Sequence, residues 1–253
     1  MSNTLPVTVV IPTLNEAWQI AAAVDALGWA DEVIVADGGS TDDTVTIARE
    51  RGASVIEVPG QTIAGQRNAA IAAARNEWVL ALDADERVTD ELRQELAVVL
   101  AAPTRAAYRV RCQNIYLGRE RRRGRWGRDW HVRLFRRTQR FVDDRVHERL
   151  ETVPQPGTLR GPIRHLPYRD LTHQLQKIII YARWGAQDLH ARGRRATFLD
   201  LVARPLWRFV REYVVYGSFL DGRVGLVASA LTAYSGFLKY VYLWDLSERP
   251  SAA

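Results

Sequence analysis

The feature that most constrains this chain is a short apolar run that ends in carboxylates, Trp78-Val79-Leu80-Ala81-Leu82-Asp83-Ala84-Asp85-Glu86. An apolar run of that length between polar flanks suits a buried strand of a parallel sheet. Carboxylates just past its end would stand in the crevice outside the carboxyl ends of the strands, where open α/β sheets bind ligands. Asp83 and Asp85 are two apart, so a continuing strand would point both to one face. Crowded carboxylates repel unless a cation joins them. Hard oxygen donors of this kind suit Mg2+ or Mn2+, shared with substrate phosphates. The plainer alternative is a solvated acidic turn before a helix, with Thr89 as its N-cap.

The first hundred residues supply a setting for the ligand reading. Strands are expected at 7–11, 33–36, 53–58 and 77–82, and helices at 18–27, 43–51, 62–75 and 89–101. Strands alternating with helices of this length make parallel βαβ units. The loops after strands one, two and four then converge on one edge of the sheet. Past Pro103 the alternation stops: 106–112 reads as a strand, 130–135 and 140–146 as strands or loops, and 157–166 holds one more short strand. An amphipathic helix is expected over 171–189. From Phe198 the chain is mostly apolar at helical spacing, with Arg204, Arg208 and Arg211 on a separate face, and 226–246 is apolar apart from Lys239.

Charge divides along the same line. Residues 1–100 hold 6 Lys and Arg against 16 Asp and Glu, and residues 101–253 hold 29 against 13. The basic half implies an anionic partner: nucleic acid, phospholipid or a phosphorylated glycan. A nucleic-acid reading would rest on Arg119–Arg128, six arginines in ten residues with Trp126 among them. It leaves the acidic crevice unexplained, because carboxylates repel phosphates without a metal, so no nucleic acid is expected. A run of arginines is also commonly just a solvated face. The single cysteine, Cys112, allows no internal disulfide and reads as a packed residue. The segment MSNTLPVTVVIP lacks the basic and apolar regions of a signal peptide.

Four motifs now stand in order on the expected elements: VVIPTLNE, VIVADGGSTD, AGQRNAA and LALDADE. Together they resemble glycosyltransferase family 2, the inverting enzymes with a GT-A fold. The resemblance covers about residues 5–100. Further on, Arg133-Leu134-Phe135-Arg136-Arg137, Val146-His147-Glu148, Arg164-His165 and Pro167-Tyr168 look like the branch that adds sugars, including β-glucose, to the lipopolysaccharide core. The implied fold class is α/β, a mostly parallel sheet flanked by helices with a C-terminal helical appendage. The catalytic domain is expected over 1–168, with a nucleotide-sugar half at 1–102 and an acceptor half at 103–168. Residues 169–253 form the helical, membrane-interfacial part.

The resemblance implies donor contacts for Pro12, Thr13, Glu16, Asp37, Arg67, Asp83 and Asp85. Chemistry gives these residues roles. Asp37 can accept from a uracil N–H; Thr13, Asn15 and Glu16 can bond base or ribose; Arg67 supplies a charge and Asn68 an amide. Arg133 joins them as a substrate contact. Many members carry two acidic residues where this chain reads Asp37-Gly38. Asp85 and His165 are the expected metal ligands. A single displacement needs one base on the acceptor side; Glu148 is the best match and Asp144 the rival. Plainer roles compete: Asn15-Glu16 as a helix start, Asp42 or Asp43 as a cap, Arg67 as a solvated charge, Glu148 in a surface ion pair with Arg145 or Arg149, and His165 as an ordinary packed histidine. The expected enzyme moves a hexose, such as glucose, from a UDP-sugar to a lipid-linked or phosphorylated glycan, on an anionic membrane at the cytoplasmic face. Transfer to polyprenyl phosphate is the enzymatic rival. Oligomeric state leaves no trace in the sequence.

Overall fold

The structure is a computed structural model and describes residues 4–116, 118–123, 129–142, 149–151 and 154–248. It divides into two compact units, Met1–Cys112 with Asp129–His165, and Gln113–Arg128 with Leu166–Ala253.

In the first unit, Leu5–Thr13 (β1), Ala30–Asp37 (β2), Ser54–Glu57 (β3) and Trp78–Ala81 (β4) alternate with helices Ile20–Asp25 (α1), Thr44–Glu50 (α2) and Ile63–Ala73 (α3). Glu86–Val88 (β5) and helix Asp90–Ala101 (α4) follow, then Ala107–Tyr116 (β6), whose last residues belong to the second unit. Arg119–Glu120 (β7) pairs with that end of β6. Later strands are Trp130–Arg136 (β8), Phe141–Val142 (β9), Arg149–Leu150 (β10), Gly157–Thr158 (β11) and Ile163–His165 (β12). The sheet runs β3-β2-β1-β4-β8-β6-β12-β5. Its first four strands are parallel, and β8 and β6 return antiparallel.

The pattern of the core explains the layers. Along β1, Val7, Val9 and Ile11 face one cluster and Val10 the other; along β4, Trp78 and Leu80 separate from Val79 and Ala81 in the same way. Period-two alternation of apolar residues on both faces requires a helix layer on each side. Helix α3 covers one face with Ala64, Ala70 and Ile71. The opposite face takes Val24 of α1, Ala48 of α2 and Leu92, Leu96 and Leu100 of α4. The leucines recur every four residues, a single helical stripe, and each stabilises the fold by about 1.5–3 kcal/mol when fully buried. Thr89 caps α4, its hydroxyl accepting from the Leu92 N–H. Pro12 lies beyond the last β1–β4 pair, Val10 with Ala81, so its missing N–H costs no bond on that side.

The strand order makes the crevice. The chain steps outward from β1 to β3, then crosses back over β1 to lay down β4. That reversal is a topological switch point, and ligands of open α/β sheets bind beside it. Two sequence expectations change here, and the cap expected at Asp42 or Asp43 is shared between them. Asn15 adopts a left-handed φ of 58° and α1 begins only at Ile20, so Asn15-Glu16 starts no helix. Strand β4 ends at Ala81, so Asp83 and Asp85 lie on a turn and not on a continuing strand. Asp43 holds the N-cap position of α2 without a side-chain bond, and Asp42 accepts from the Thr44 N–H and hydroxyl instead.

The second unit holds three helices: Leu171–Ala191 (α5), Phe198–Val210 (α6) and Gly222–Glu248 (α7). Asp170 caps α5, and Thr197 with Asp200 forms a capping box on α6. Pro205 sits inside α6, which passes into a π-helical stretch at Arg211–Val215. Helix α7 packs on α5 and α6, burying Ala186, Tyr240 and Leu243. From the arginine run, Arg121 is buried, its Nε 3.0 Å from Asp221 and its Nη2 3.0 Å from Ser218. That residue is therefore not part of a solvated face. The helix region Ser218–Glu248 is long and apolar enough to cross a membrane by length and composition. Large apolar side chains lie open to solvent on this unit, including Phe198, Leu199, Leu206, Trp207, Val215 and Leu220.

Candidate active site

Thr13 and Asp37 are register partners at the carboxyl ends of β1 and β2. The Asp37 carboxylate is nearly closed to solvent, at 2 % exposure, and organises the loop that follows. Its Oδ2 accepts from the N–H groups of Gly39 (2.9 Å) and Ser40 (2.8 Å), and its Oδ1 from the hydroxyls of Ser40 and Thr13 (3.3 Å). Asn15, in its left-handed turn, completes the link between the two loops: its N–H donates to Ser40 Oγ and its Oδ1 accepts from the Thr41 N–H, both at 2.8 Å. The Glu16 N–H donates to Thr44 Oγ1 at 2.8 Å. Asp37, Thr13, Asn15 and Glu16 thus meet at the crevice, but these bonds build its wall. Gly38 leaves room for Gln66 of α3: a Cβ there would fall 2.4 Å from Gln66 Nε2, so the end of that side chain would have to move.

Across the switch point lies the carboxylate turn. The Asp83 N–H donates to Glu86 Oε2 and the Glu86 N–H to the Asp83 carbonyl, both at 3.0 Å. Arg87 tightens it by donating to the Ala84 carbonyl at 2.7 Å and ties it to the first loop through the Gln19 carbonyl at 3.3 Å. Two buried arginines then converge. Arg67 Nη2 of α3 lies 2.5 Å from Asp83 Oδ1, and Arg133 Nη2 of β8 lies 2.5 Å from Glu86 Oε1 and 3.4 Å from Asp83 Oδ2. Burial alone would raise the Asp83 carboxyl, but the charges of Arg67 and Arg133 outweigh it and hold Asp83 well below the usual carboxylate range. For Glu86 the balance reverses: burial pushes it up despite Arg133.

Asp85 turns to a different partner. Strand β12 pairs antiparallel with β5 and sets His165 opposite Glu86. His165 Nε2 then lies 3.3 Å from Asp85 Oδ2. Asp85 Oδ1 is buried and accepts no hydrogen bond among the described residues. Buried carboxylate oxygens are almost always satisfied. An orphan one beside an imidazole fits a small hard cation with oxygen and nitrogen ligands. Cys112, Asp129 and His131 form a second group whose donor atoms lie within 4.8 Å of one another. Burial, with Glu86 beside it, pushes the Cys112 thiol up to about 12, so it stays a thiol and not the ligating thiolate.

The family model for Glycosyl transferase family 2 matches residues 8–152, more than half of the chain. The chain belongs to glycosyltransferase family 2. An uncharacterized glycosyltransferase of Rickettsia prowazekii is 30% identical over 251 residues, covering 94% of this chain and 86% of its own length. The lipopolysaccharide core biosynthesis glycosyltransferase LpsC of Rhizobium meliloti is 27% identical over 271 residues, covering 98% and 96%. Among solved structures, glucosyl-3-phosphoglycerate synthase from Mycobacterium tuberculosis, in complex with Mn2+, UDP and glucosyl-3-phosphoglycerate, overlaps 44% of either chain at 27% identity and a TM-score of 0.37. As a family 2 glycosyltransferase the chain has the GT-A fold, and its mostly parallel sheet with flanking helices is that architecture.

Within this family 2 glycosyltransferase the site residues separate by partner. Thr13, Asn15, Glu16 and Asp37 gather on one side of the switch point, and Arg67, Asp83, Asp85, Arg133 and His165 on the other. Arg67 is not a solvated charge: it is 4 % exposed and also lies over the Phe141 ring at 4.9 Å. Asn68 needs correction. Its Nδ2 donates to the Phe141 carbonyl and its Oδ1 accepts from the Phe141 N–H, each at 2.8 Å, so its amide clamps β9 to α3. Glu148 and its rival Asp144 lie outside the described residues. Sequence reasoning passed over Gln66, whose buried Oε1 lacks a hydrogen-bond partner among the described residues, and Glu86. The acidic run that drew attention to Asp83 and Asp85 contained the signal for Glu86.

The Glu86–Arg133 pair is a stability feature. Removing one partner strands the other charge in the interior, at about 3–5 kcal/mol. Asp83 remains near Arg133, so Glu86→Ala is expected at the low end, about 3 kcal/mol, or a melting temperature lower by roughly 6–12 °C. Thermal denaturation followed by circular dichroism checks this; a variant that melts with the parent removes the pair from the fold's support.

Proposed function

We propose that this chain is an inverting, Mg2+- or Mn2+-dependent hexosyltransferase that moves glucose or a related hexose from a UDP-sugar to a lipid-linked envelope glycan such as the lipopolysaccharide inner core. The observation that carries the reading is the Asp85 carboxylate at the switch point, whose Oδ2 meets His165 and whose buried Oδ1 has no hydrogen-bond partner among the described residues. Asp85 and His165 would hold the cation, which when bound supplies positive charge to the leaving diphosphate. Asp83, kept ionised by Arg67 and Arg133, accepts from the donor's ribose. Pro12, Thr13, Asn15, Glu16 and Asp37 shape the wall that takes the base. Glu148 removes the proton from the acceptor hydroxyl, so one displacement inverts the sugar carbon. Similarity to LpsC supports an envelope-glycan acceptor.

The exposed apolar side chains of 198–246, with arginines among them, support a peripheral position on the anionic inner face of the cytoplasmic membrane. The donor side is tested by binding and hydrolysis across UDP-, GDP- and dTDP-sugars with Mn2+ and with excess chelator. UDP-hexose is expected to bind and to hydrolyse slowly, with both lost in chelator. Preference for another nucleotide, or indifference to chelator, overturns the reading.

A further inference from the structure

Helices α6 and α7 of the second unit, with the turn between α5 and α6, bring four cations close together. Gly236 of α7 leaves room for Arg208 of α6: a Cβ there would lie 2.8 Å from Arg208 Nη1 and 2.9 Å from its Cδ. Gly185 of α5 does the same for Lys239 of α7, where a Cβ would lie 3.0 Å from the Lys239 Cδ. Long cationic side chains ordinarily reach outward to water. Here two glycines let them lie along the seams between helices. The buried Tyr240 ring joins the group, with the Arg204 guanidinium 5.4 Å and Lys239 Nζ 4.9 Å from its centroid. Asp200, also buried, bonds to Arg204 and lies 3.7 Å from Arg194 Nη2.

We infer that Arg194, Arg204, Arg208 and Lys239 form a binding site for a phosphate group. Phosphate is matched by convergent guanidinium forks and a lysine point charge. Lys239 is in keeping with this gathering of charge: burial and then Arg208, Arg204 and Arg194 push its pKa down, against a smaller pull from Asp200. Arg208 and Lys239 are half-buried, while Arg194 and Arg204 are exposed and share the single carboxylate of Asp200; cations so grouped repel one another, and a bound anion relieves that repulsion. Exposed Phe198, Leu199 and Val202 begin the helix that carries Arg204 and Arg208, an arrangement suited to a phosphate at an apolar boundary. The inference rests on the membrane-facing part of the proposed function, although a soluble phosphate ester offers the same chemistry.

The test uses the full chain in flotation with phosphatidylcholine vesicles carrying phosphatidic acid, beside vesicles carrying phosphatidylglycerol at matched surface charge. The parent should favour phosphatidic acid. Arg208→Gln with Lys239→Gln should weaken that binding about twentyfold and abolish the preference. Arg183→Gln with Arg192→Gln, two exposed cations of the same unit, should weaken both vesicles alike and leave the preference. Thermal melting in glucose 6-phosphate forms the second arm. A rise in the parent that the Arg208/Lys239 variant lacks assigns the site to soluble esters as well, and supports it even if no vesicle binds, in which case only the membrane reading falls. Without phosphate, Lys239→Gln should melt no lower than the parent, which keeps misfolding apart from lost binding. Equal losses from both double variants on both vesicles, with no melting shift, overturn the site.

Discussion

Asp85→Asn is expected to melt with the parent and to transfer almost no sugar. The two halves of that result have separate physical causes. Asp85 Oδ1 is buried without a hydrogen-bond donor among the described residues, so the folded chain gains little from that oxygen. Asparagine keeps the shape, and its loss of charge touches the contact with His165 and the attraction to Arg87. The reaction depends on that charge if Asp85 holds the cation facing the leaving diphosphate, an effect of several kcal/mol, or about 10³-fold or more in kcat/KM. Glu86→Ala should show the opposite pattern in stability, since Glu86 is paired with a buried arginine, whereas Asp85 meets the His165 imidazole through one oxygen and has no hydrogen-bond partner for the other among the described residues. Isothermal titration with Mn2+ and UDP separates metal loss from misfolding. A variant with parental turnover, or a parent indifferent to chelator, sinks the metal assignment.

The parallel half of the fold was legible because its signals are local. Runs such as Val7–Ile11 and Trp78–Ala81 alternate between two apolar layers, and each helix carries its own stripe. The edge where Thr13, Asp37 and Asp83 gather followed from the alternation of strands and helices, which puts the loops after parallel strands at one end of the sheet. What the sequence concealed depends on pairs far apart in the chain. Asn68 looked like a free amide beside Arg67, but its partner is the Phe141 backbone, 73 residues on. Arg133 reaches Glu86 across 47 residues through β8, and His165 reaches Asp85 because β12 pairs with β5. Even at short range a two-residue spacing misled. Asp83 and Asp85 share a face only on a strand; on the observed turn Asp83 meets two arginines and Asp85 a histidine. One motif thus contains two carboxylates in different electrostatic settings, which motif spacing alone does not distinguish.

Glu148→Gln is expected to lower turnover by about 10²–10⁴-fold, the usual contribution of a positioned base, while leaving donor affinity unchanged. Glutamine keeps the size and removes the basicity, and in the proposed reaction this carboxylate serves the acceptor hydroxyl, not the nucleotide. Its place in the chain supports the assignment. Arg149 and Leu150, which follow it directly, pair antiparallel with Val142 and Phe141. Phe141 is held to α3 by both polar atoms of Asn68, and its ring packs under Arg67, whose guanidinium bonds to Asp83. The strands on either side of 143–148 are therefore anchored to the helix that also supplies a side chain to the carboxylate turn. Loosening the anchor by Asn68→Ala should reduce turnover more than donor binding, for the same reason. Asp144→Asn is the control and should be milder than Glu148→Gln. If Asp144→Asn is dead and Glu148→Gln is not, the two exchange roles. If both variants turn over normally, the proton leaves to another group, and the base must be sought outside this segment.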